Sequence, residues 1–416
     1  MGQMKRTWRS GLPLLTGLVA LAWSAGSAWG QAQPPVKIGL LYTESGPLAQ
    51  LGIDMRDGFL QYWSEVGNRV GGRAINVLSE GHGTNKADEG LTKARKLVER
   101  DGIHLLTGII ETPIAYALRS YVIEKKLPLM ILNAGADGLT QKQRSEYIFR
   151  SSFSNSDGSH PLGEWAYKQG YRKMVLIATD FAAGHEHIGG VARTFIEAGG
   201  HVIQEIYPTI GTADYAPYVA QIRRDADVVA AAIFGADALR FVVQYAEFGL
   251  KGKIPLIGKG GLTNEEILPK QGEAALGIIT AFPWTAALDT PVNKRFVQAY
   301  EARYKRPATQ FAEHAYVGAA MLRQALEAVG GNVENQEAFL AALRKVEVDG
   351  PRGKVRLDAF QNPIHTIYIN RVERKGGELW NVPVASYPNV SQFWKWSPEA
   401  FQAMPGYVEM KGKWAK

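Results

Sequence analysis

The stretch VKIGLLYTESGPLAQLG, residues 36–52, runs from an apolar segment into a polar turn and then into a helix start. Val36, Ile38, Leu40 and Leu41 form the near-continuous apolar run of a strand buried on both faces. Thr43, Glu44, Ser45 and Gly46 stand at the carboxyl end of that strand. Small polar residues there either cap a helix or hold a ligand, and Gly46-Pro47 taken alone is an ordinary turn. The choice depends on whether other strand ends carry the same chemistry.

Comparable apolar runs recur: AINVLSE, IHLLTGII, LPLMILN, KMVLIATD, HVIQEIY, DVVAAAIFG, IPLIGKG and GIITAFP. Helical stretches alternate with them at 55–65, 86–100, 114–125, 185–198, 236–248, 293–304 and 312–329. In KADEGLTKARKLVERDG, Ala87, Leu91, Ala94, Leu97 and Val98 share one helical face, and Gly102 follows as a stop. Strand–helix alternation predicts parallel sheets with right-handed crossovers. The number of units favours two open α/β sheets over one closed barrel of eight units. SSFSNSDGS, residues 151–159, is a polar break halfway along and reads as a crossing between lobes. The expected division is a first lobe from 36–153 and 284–358, and a second from 154–283 and 359–380. The tail, 381–416, contains YPNVSQFWKW, lacks the alternation and is expected to wrap a surface.

In open α/β sheets, ligands bind beyond the carboxyl ends of the strands. That gives the turn around Ser45 a purpose. Similar chemistry follows three more strands: Glu111-Thr112, Asn133-Ala134-Gly135 and Asp180-Phe181-Ala182. Free N–H groups at the helix starts favour an anionic group such as a carboxylate. Thr112, followed by Pro113, also reads as a helix cap, and the two roles are compatible.

Composition narrows the classes. A chain of 416 residues exceeds one ordinary core, and 46% hydrophobic with 21% charged residues is a folded composition. MGQMKRTWRS, then GLPLLTGLVALAW, then SAGSAWG read as a secretory signal peptide over 1–30, so the mature chain is expected in the periplasm. There is no cysteine, which argues against a lipid anchor, disulfides and thiolate zinc sites. Without Lys5, Arg6 and Arg9, 44 basic residues face 40 acidic ones, a balance of +4. No long basic block points to nucleic acid. GHEH, residues 184–187, lacks the His-Glu-x-x-His spacing and reads as a solvated helix start rather than a metal site. GKGGLTNEE is neither a P-loop nor a dinucleotide fingerprint, and no Gly-x-Ser-x-Gly elbow occurs. Neither catalysis nor a cofactor is expected.

SGPLAQLG, VGGRAINV, KARKLVERDGIHLLTGI and FGADALRFVVQYAEFGL, in this order and spacing, resemble the periplasmic solute-binding proteins of branched-chain amino acid ABC transporters. The resemblance implies two Rossmann-like lobes joined by three crossing strands and closing on a small ligand, with transporter permease subunits as partners of a monomer. It places ligand contacts at Leu51, Thr112 and Asn133 to Gly135, the last mainly through backbone groups. Phe181 and Phe234 fall where the family often carries tyrosines, and Trp284 is a further candidate. Glu111 departs from the pattern, since a carboxylate there repels an anion. The largest departure is Gly260, beside Lys259, where amino-acid binders carry the acid that pairs with the ligand's ammonium. A site without that acid should bind α-amino acids poorly, unless Glu111 replaces it. The expected ligand is therefore an aromatic or other hydrophobic carboxylic acid, with a branched-chain amino acid or amide as the alternative. The YPNVSQFW tail also resembles tails of family members linked to aromatic-compound uptake. An enzyme or a ligand sensor on the same scaffold are the rival classes.

Overall fold

β1 (Val36–Ser45) pairs in parallel with β3 (Arg73–Gly83) on one side and β4 (Leu105–Gly108) on the other, which explains its burial on both faces. The computed structural model describes Met1 and residues 33–416, so apart from Met1 the expected signal peptide lies outside the described residues. β5 (Leu129–Ile131) and β6 (Ile148–Arg150) extend the first sheet, and β2 (Arg69–Val70) forms a short antiparallel hairpin with β3. The order is β2-β3-β1-β4-β5-β6.

The second sheet gathers β7 (Lys173–Ala178), β8 (His201–Ile206), β9 (Val228–Ala232), β10 (Leu256–Lys259) and β11 (Ile279–Phe282) in parallel. β12 (Glu347–Gly350) and β13 (Gly353–Leu357) lead into β14 (Pro363–Lys375), and β14 pairs antiparallel with β11 and with β15 (Glu378–Val390). β12 and β13 pair into this second sheet, but the cores change hands after β6 (Phe149 to Leu162), after β11 (Ala281 to Phe311) and between β13 and β14 (Leu357 to Ile367), which marks three passages between the lobes.

After the second passage, helices Pro291–Tyr304, Gln310–Ala328 and Gln336–Leu343 return to the first lobe. Leu322, Leu326 and Phe339 share a core there with Val36, Phe59 and Trp63. Two glycines permit this packing. A Cβ on Gly58 would lie 2.1 Å from the carbonyl oxygen of Ala312, and one on Gly52 would lie 1.9 Å from that of Thr43. Helix Ala49–Glu65 can thus lie tight against both helix Gln310–Ala328 and the end of β1.

Two expectations need correction. The segment from 381 onward is not a surface wrap from its start, because β15 continues to Val390 in register with β14. Pro383 and Pro388 hide that strand in the sequence, and an edge strand tolerates them. The remainder of the tail buries Phe393, Phe401, Tyr407 and Trp414 in the second lobe's core, alongside Leu176 and Val191. The GHEH segment is not solvated either: His185, Glu186 and His187 are all buried. Helix Ala182–Glu197 is covered by its own sheet, by helix Ser159–Lys168 and by the first lobe.

Candidate functional site

The cavity between the lobes is built from helix starts. Glu111, Phe181 and Phe234 each sit in extended backbone one residue before a helix that follows a parallel strand. This geometry aims the side chain and the first free N–H groups at the space beyond the sheet. About 500 Å³ here is free of protein atoms, a figure that includes space open to solvent, so the lobes close around a small cleft. Its walls are largely apolar. Leu48, Leu51, Ile110 and Phe311 come from the first lobe, Phe181, Ala183 and Phe234 from the second, Phe282 from the end of β11 and Phe153 from the segment that follows β6. Phe181 meets Phe234 edge-on at 6.2 Å, and Phe153 meets Phe282 edge-on at 5.1 Å. Both spacings suit edge-to-face aromatic packing. The lobes touch around it: the Ala236 amide reaches the Pro47 carbonyl at 3.4 Å.

The polar groups are few. Asn155 Nδ2 donates to Thr112 Oγ1 at 3.0 Å, which leaves the Thr112 hydroxyl proton free for a ligand. Lys259, 3% exposed, donates to the Asn155 carbonyl at 3.2 Å and faces Asp157 Oδ1 at 3.5 Å. Its ammonium lies 4.6 Å from the centre of the Phe153 ring. Burial pulls the Lys259 ammonium below its usual range, with Asp157 opposing. Burial would raise the Asp157 carboxyl, but Lys259 and His365 outweigh it and hold that acid well below the usual range. Glu111 lines the cavity, yet both its oxygens are engaged. Thr43 Oγ1 donates to one at 3.1 Å and the Asn85 amide to the other at 2.7 Å. Burial pushes its carboxyl up to about 7.

The sequence profile of periplasmic binding proteins matches residues 35–378. The chain belongs to the periplasmic binding protein family. Among relatives of this binding protein, Leu/Ile/Val-binding protein homolog 6 of Brucella melitensis is 29% identical over 385 residues, covering 90% of this chain and 96% of its own. An ABC transporter substrate-binding protein from Sphaerobacter thermophilus is 38% identical, with a TM-score of 0.82 over 86% of this chain and 99% of its own. A solute-binding protein of an ABC transporter from Rhodopseudomonas palustris BisB5, solved with 3,4-dihydroxybenzoic acid, is 28% identical at a TM-score of 0.82, over 86% of this chain and 98% of its own.

In this binding protein the cavity brings together Leu51, Glu111, Thr112, Asn133, Gly135, Phe181, Phe234 and Lys259. Four candidates lie elsewhere. Ser45 is exposed, and its carbonyl accepts from the Thr84 amide at 2.9 Å and hydroxyl at 2.8 Å, a turn role. Ala134 turns its amide back to the Ile109 carbonyl. Trp284 donates to Asn293 Oδ1 at 2.7 Å and packs on Phe296 inside the first lobe. Gly260 is replaced on the wall by Gly261, and a Cβ on Gly260 would stand 2.6 Å from Gln310 Oε1, so no acid fits there without displacing Gln310. Phe153, Asn155, His187, Phe282 and Gln310 complete the wall without having been singled out. Phe282 ends a recognised strand, so the strand-end rule could have found it. Phe153 and Asn155 lie in the 151–159 break, whose every residue is buried.

Proposed function

We propose that this chain is the periplasmic substrate-binding component of an ABC importer and that its lobes close on a small aromatic carboxylate. One observation carries the ligand class. The cavity presents a lysine ammonium next to Gly260, the position where the resemblance expects the acid of an amino-acid binder, and the one carboxylate on its wall, Glu111, already accepts from Thr43 and Asn85. An α-ammonium would therefore be buried without a dedicated acid of its own and near a like charge. An aromatic acid can place its carboxylate at the Thr112 helix start, in the field of Lys259, and its ring among Phe153, Phe181, Phe234 and Phe282. The 3,4-dihydroxybenzoic acid held by the R. palustris protein belongs to that class. The closed form would then dock, as a monomer, on the permease subunits and release its ligand unchanged.

The test is thermal melting of the mature protein, refolded once to strip carried-over ligand. The panel holds benzoate, 4-hydroxybenzoate, 3,4-dihydroxybenzoate, phenylacetate, leucine, valine and phenylalanine. A ligand at a hundred times its Kd stabilises the fold by about 2.7 kcal/mol. Shifts with the aromatic acids alone support the reading. Shifts with leucine or valine alone overturn it and make Glu111 the acid that holds the ammonium.

A further inference from the structure

His187 projects from helix Ala182–Glu197 into the cavity wall, 4% exposed. Its ring centre lies 5.2 Å from that of Phe234 and 6.0 Å from that of Phe153. Nδ1 is in hydrogen-bond contact with the main-chain carbonyl of Asn155. A carbonyl only accepts, so Nδ1 carries a proton. Burial, and next the Lys259 ammonium, hold the ring well below its ordinary range, so the imidazole is neutral. A neutral imidazole protonated on Nδ1 presents Nε2 as an acceptor. Among the described residues Nε2 has no hydrogen-bond partner: His187 makes its single side-chain hydrogen bond through Nδ1. The nearest cation, Lys259, is committed to Asn155 and Asp157. Nε2 is not among the side-chain atoms sealed from solvent, so this acceptor opens on the cavity and can take a ligand's donor.

We infer that His187 selects ligands whose aromatic ring carries a hydrogen-bond donor, a hydroxyl or an amino group, with Nε2 as the acceptor. The inference rests on the aromatic-carboxylate reading and adds an orientation to it. The Nε2 lone pair repels a carboxylate, so the acid group lies toward Thr112 and the ring donor toward His187. An ammonium is a poor occupant of this position, because Lys259 shares the Asn155 carbonyl with His187 and repels it.

The experiment is isothermal titration calorimetry with benzoate, 3- and 4-fluorobenzoate, 3- and 4-hydroxybenzoate and 4-aminobenzoate. Fluorine approximates a hydroxyl in size and cannot donate. In the unaltered protein, at least one hydroxy or amino compound should bind about tenfold or more tighter than its fluoro counterpart and benzoate. His187→Phe should bring the hydroxy and amino compounds to within about twofold of their fluoro counterparts, whatever it does to the affinity of the whole series. His187→Gln, which keeps an acceptor, should restore part of it. Equal binding of the hydroxy, amino and fluoro compounds by the unaltered protein overturns the inference and leaves the aromatic-acid reading standing. A preference that survives in His187→Phe assigns the role to another wall residue, such as Gln310, and also overturns it. No binding of any compound in the series overturns the aromatic-acid reading itself.

Discussion

The hydroxyl of Tyr116, on the first lobe, donates to Oε1 of Glu186, on the second, at 3.0 Å. Oε2 of the same carboxyl accepts from the Asp137 amide at 3.2 Å and from Asn155 Nδ2 at 2.6 Å. Glu186 thus ties the lobes together beside the cavity. Burial, and then the charge of Asp137, push its carboxyl above the ordinary range. Opening the lobes takes Tyr116 and Asp137 away and returns Glu186 toward its usual value of about 4.3. A carboxyl whose value is higher in the closed form holds more proton when closed. Closure is therefore fully favoured below about pH 4.3 and loses ground as pH rises through the raised value. Ligand affinity should fall across this window, by up to about tenfold per pH unit for each proton taken up. Calorimetry in buffers of different ionisation enthalpy at pH 6.5 should register proton uptake on binding, and Glu186→Gln should reduce it. No uptake in the unaltered protein would dismiss Glu186 as a protonated latch.

Lys259 has two duties that one variant can separate. Its ammonium offsets Asp157 and supplies the positive field in the cavity. Lys259→Gln keeps a donor for the Asn155 carbonyl but removes the charge. Aromatic-carboxylate affinity should drop by about tenfold to a hundredfold, the worth of a charge-assisted contact. The unliganded protein should also melt lower, since the buried Asp157 loses its ammonium partner and keeps His365, 3.3 Å away, whose ring burial holds below its ordinary range. Titration and melting of the same sample check both. Unchanged affinity with a lowered melting point would confine Lys259 to a structural role.

Much of this site was legible because parallel strands end where ligands bind. The strand-end rule led to Glu111, Thr112, Asn133 and Gly135, and the family resemblance added Phe234 and Lys259. What it could not convey was the direction of each side chain. Trp284 follows a strand end too, yet helix Pro291–Tyr304 offers it Asn293 as a hydrogen-bond partner and draws it into the first lobe. The opposite error arose at 184–187, which read as solvated because its residues are polar; 151–159 read as a crossing between lobes, with no sign of how deeply it is buried. The partners of both come from distant parts of the chain. Asp157 meets Lys259 and His365, and Glu186 meets Tyr116. Buried polar groups of this kind are invisible to periodicity, since burial is set by the packing of one lobe on the other.

Gly135 offers a sharp steric test of the Asn155 network. A Cβ there would lie 2.1 Å from Asn155 Oδ1 and 2.8 Å from the Asn155 amide nitrogen. Gly135→Ala must push Asn155 away, and with it the hydrogen bonds to Thr112 and Glu186. Binding should weaken by at least about tenfold, as expected for the loss of buried hydrogen bonds. Calorimetric titration against the tightest ligand checks this. Affinity within twofold of the unaltered protein would mean that the Asn155 side chain does not shape the site.

Arg352, in the turn between β12 and β13, meets Glu313 of helix Gln310–Ala328 with both groups fully buried. Its Nε donates to Glu313 Oε1 at 2.9 Å and its Nη1 to the Ser152 carbonyl, also at 2.9 Å. One side chain therefore joins the β12–β13 turn, the first passage and the helix that begins with the cavity residues Gln310 and Phe311. Arg352→Met strands Glu313, whose carboxyl burial already raises despite the arginine. Breaking one partner of such a pair destabilises by about 3–5 kcal/mol. The stranded acid escapes its burial penalty by taking a proton, so the variant should lose more stability as pH rises above the ordinary carboxylate range. Arg352→Met combined with Glu313→Leu removes both charges and should recover most of the loss, because apolar replacement of a whole buried pair is often neutral. Urea unfolding at pH 5 and pH 8 separates these outcomes. If the single variant loses less than about 1 kcal/mol, the pair is solvated in solution and the hinge is held by the neighbouring Asp157–His365 contact instead.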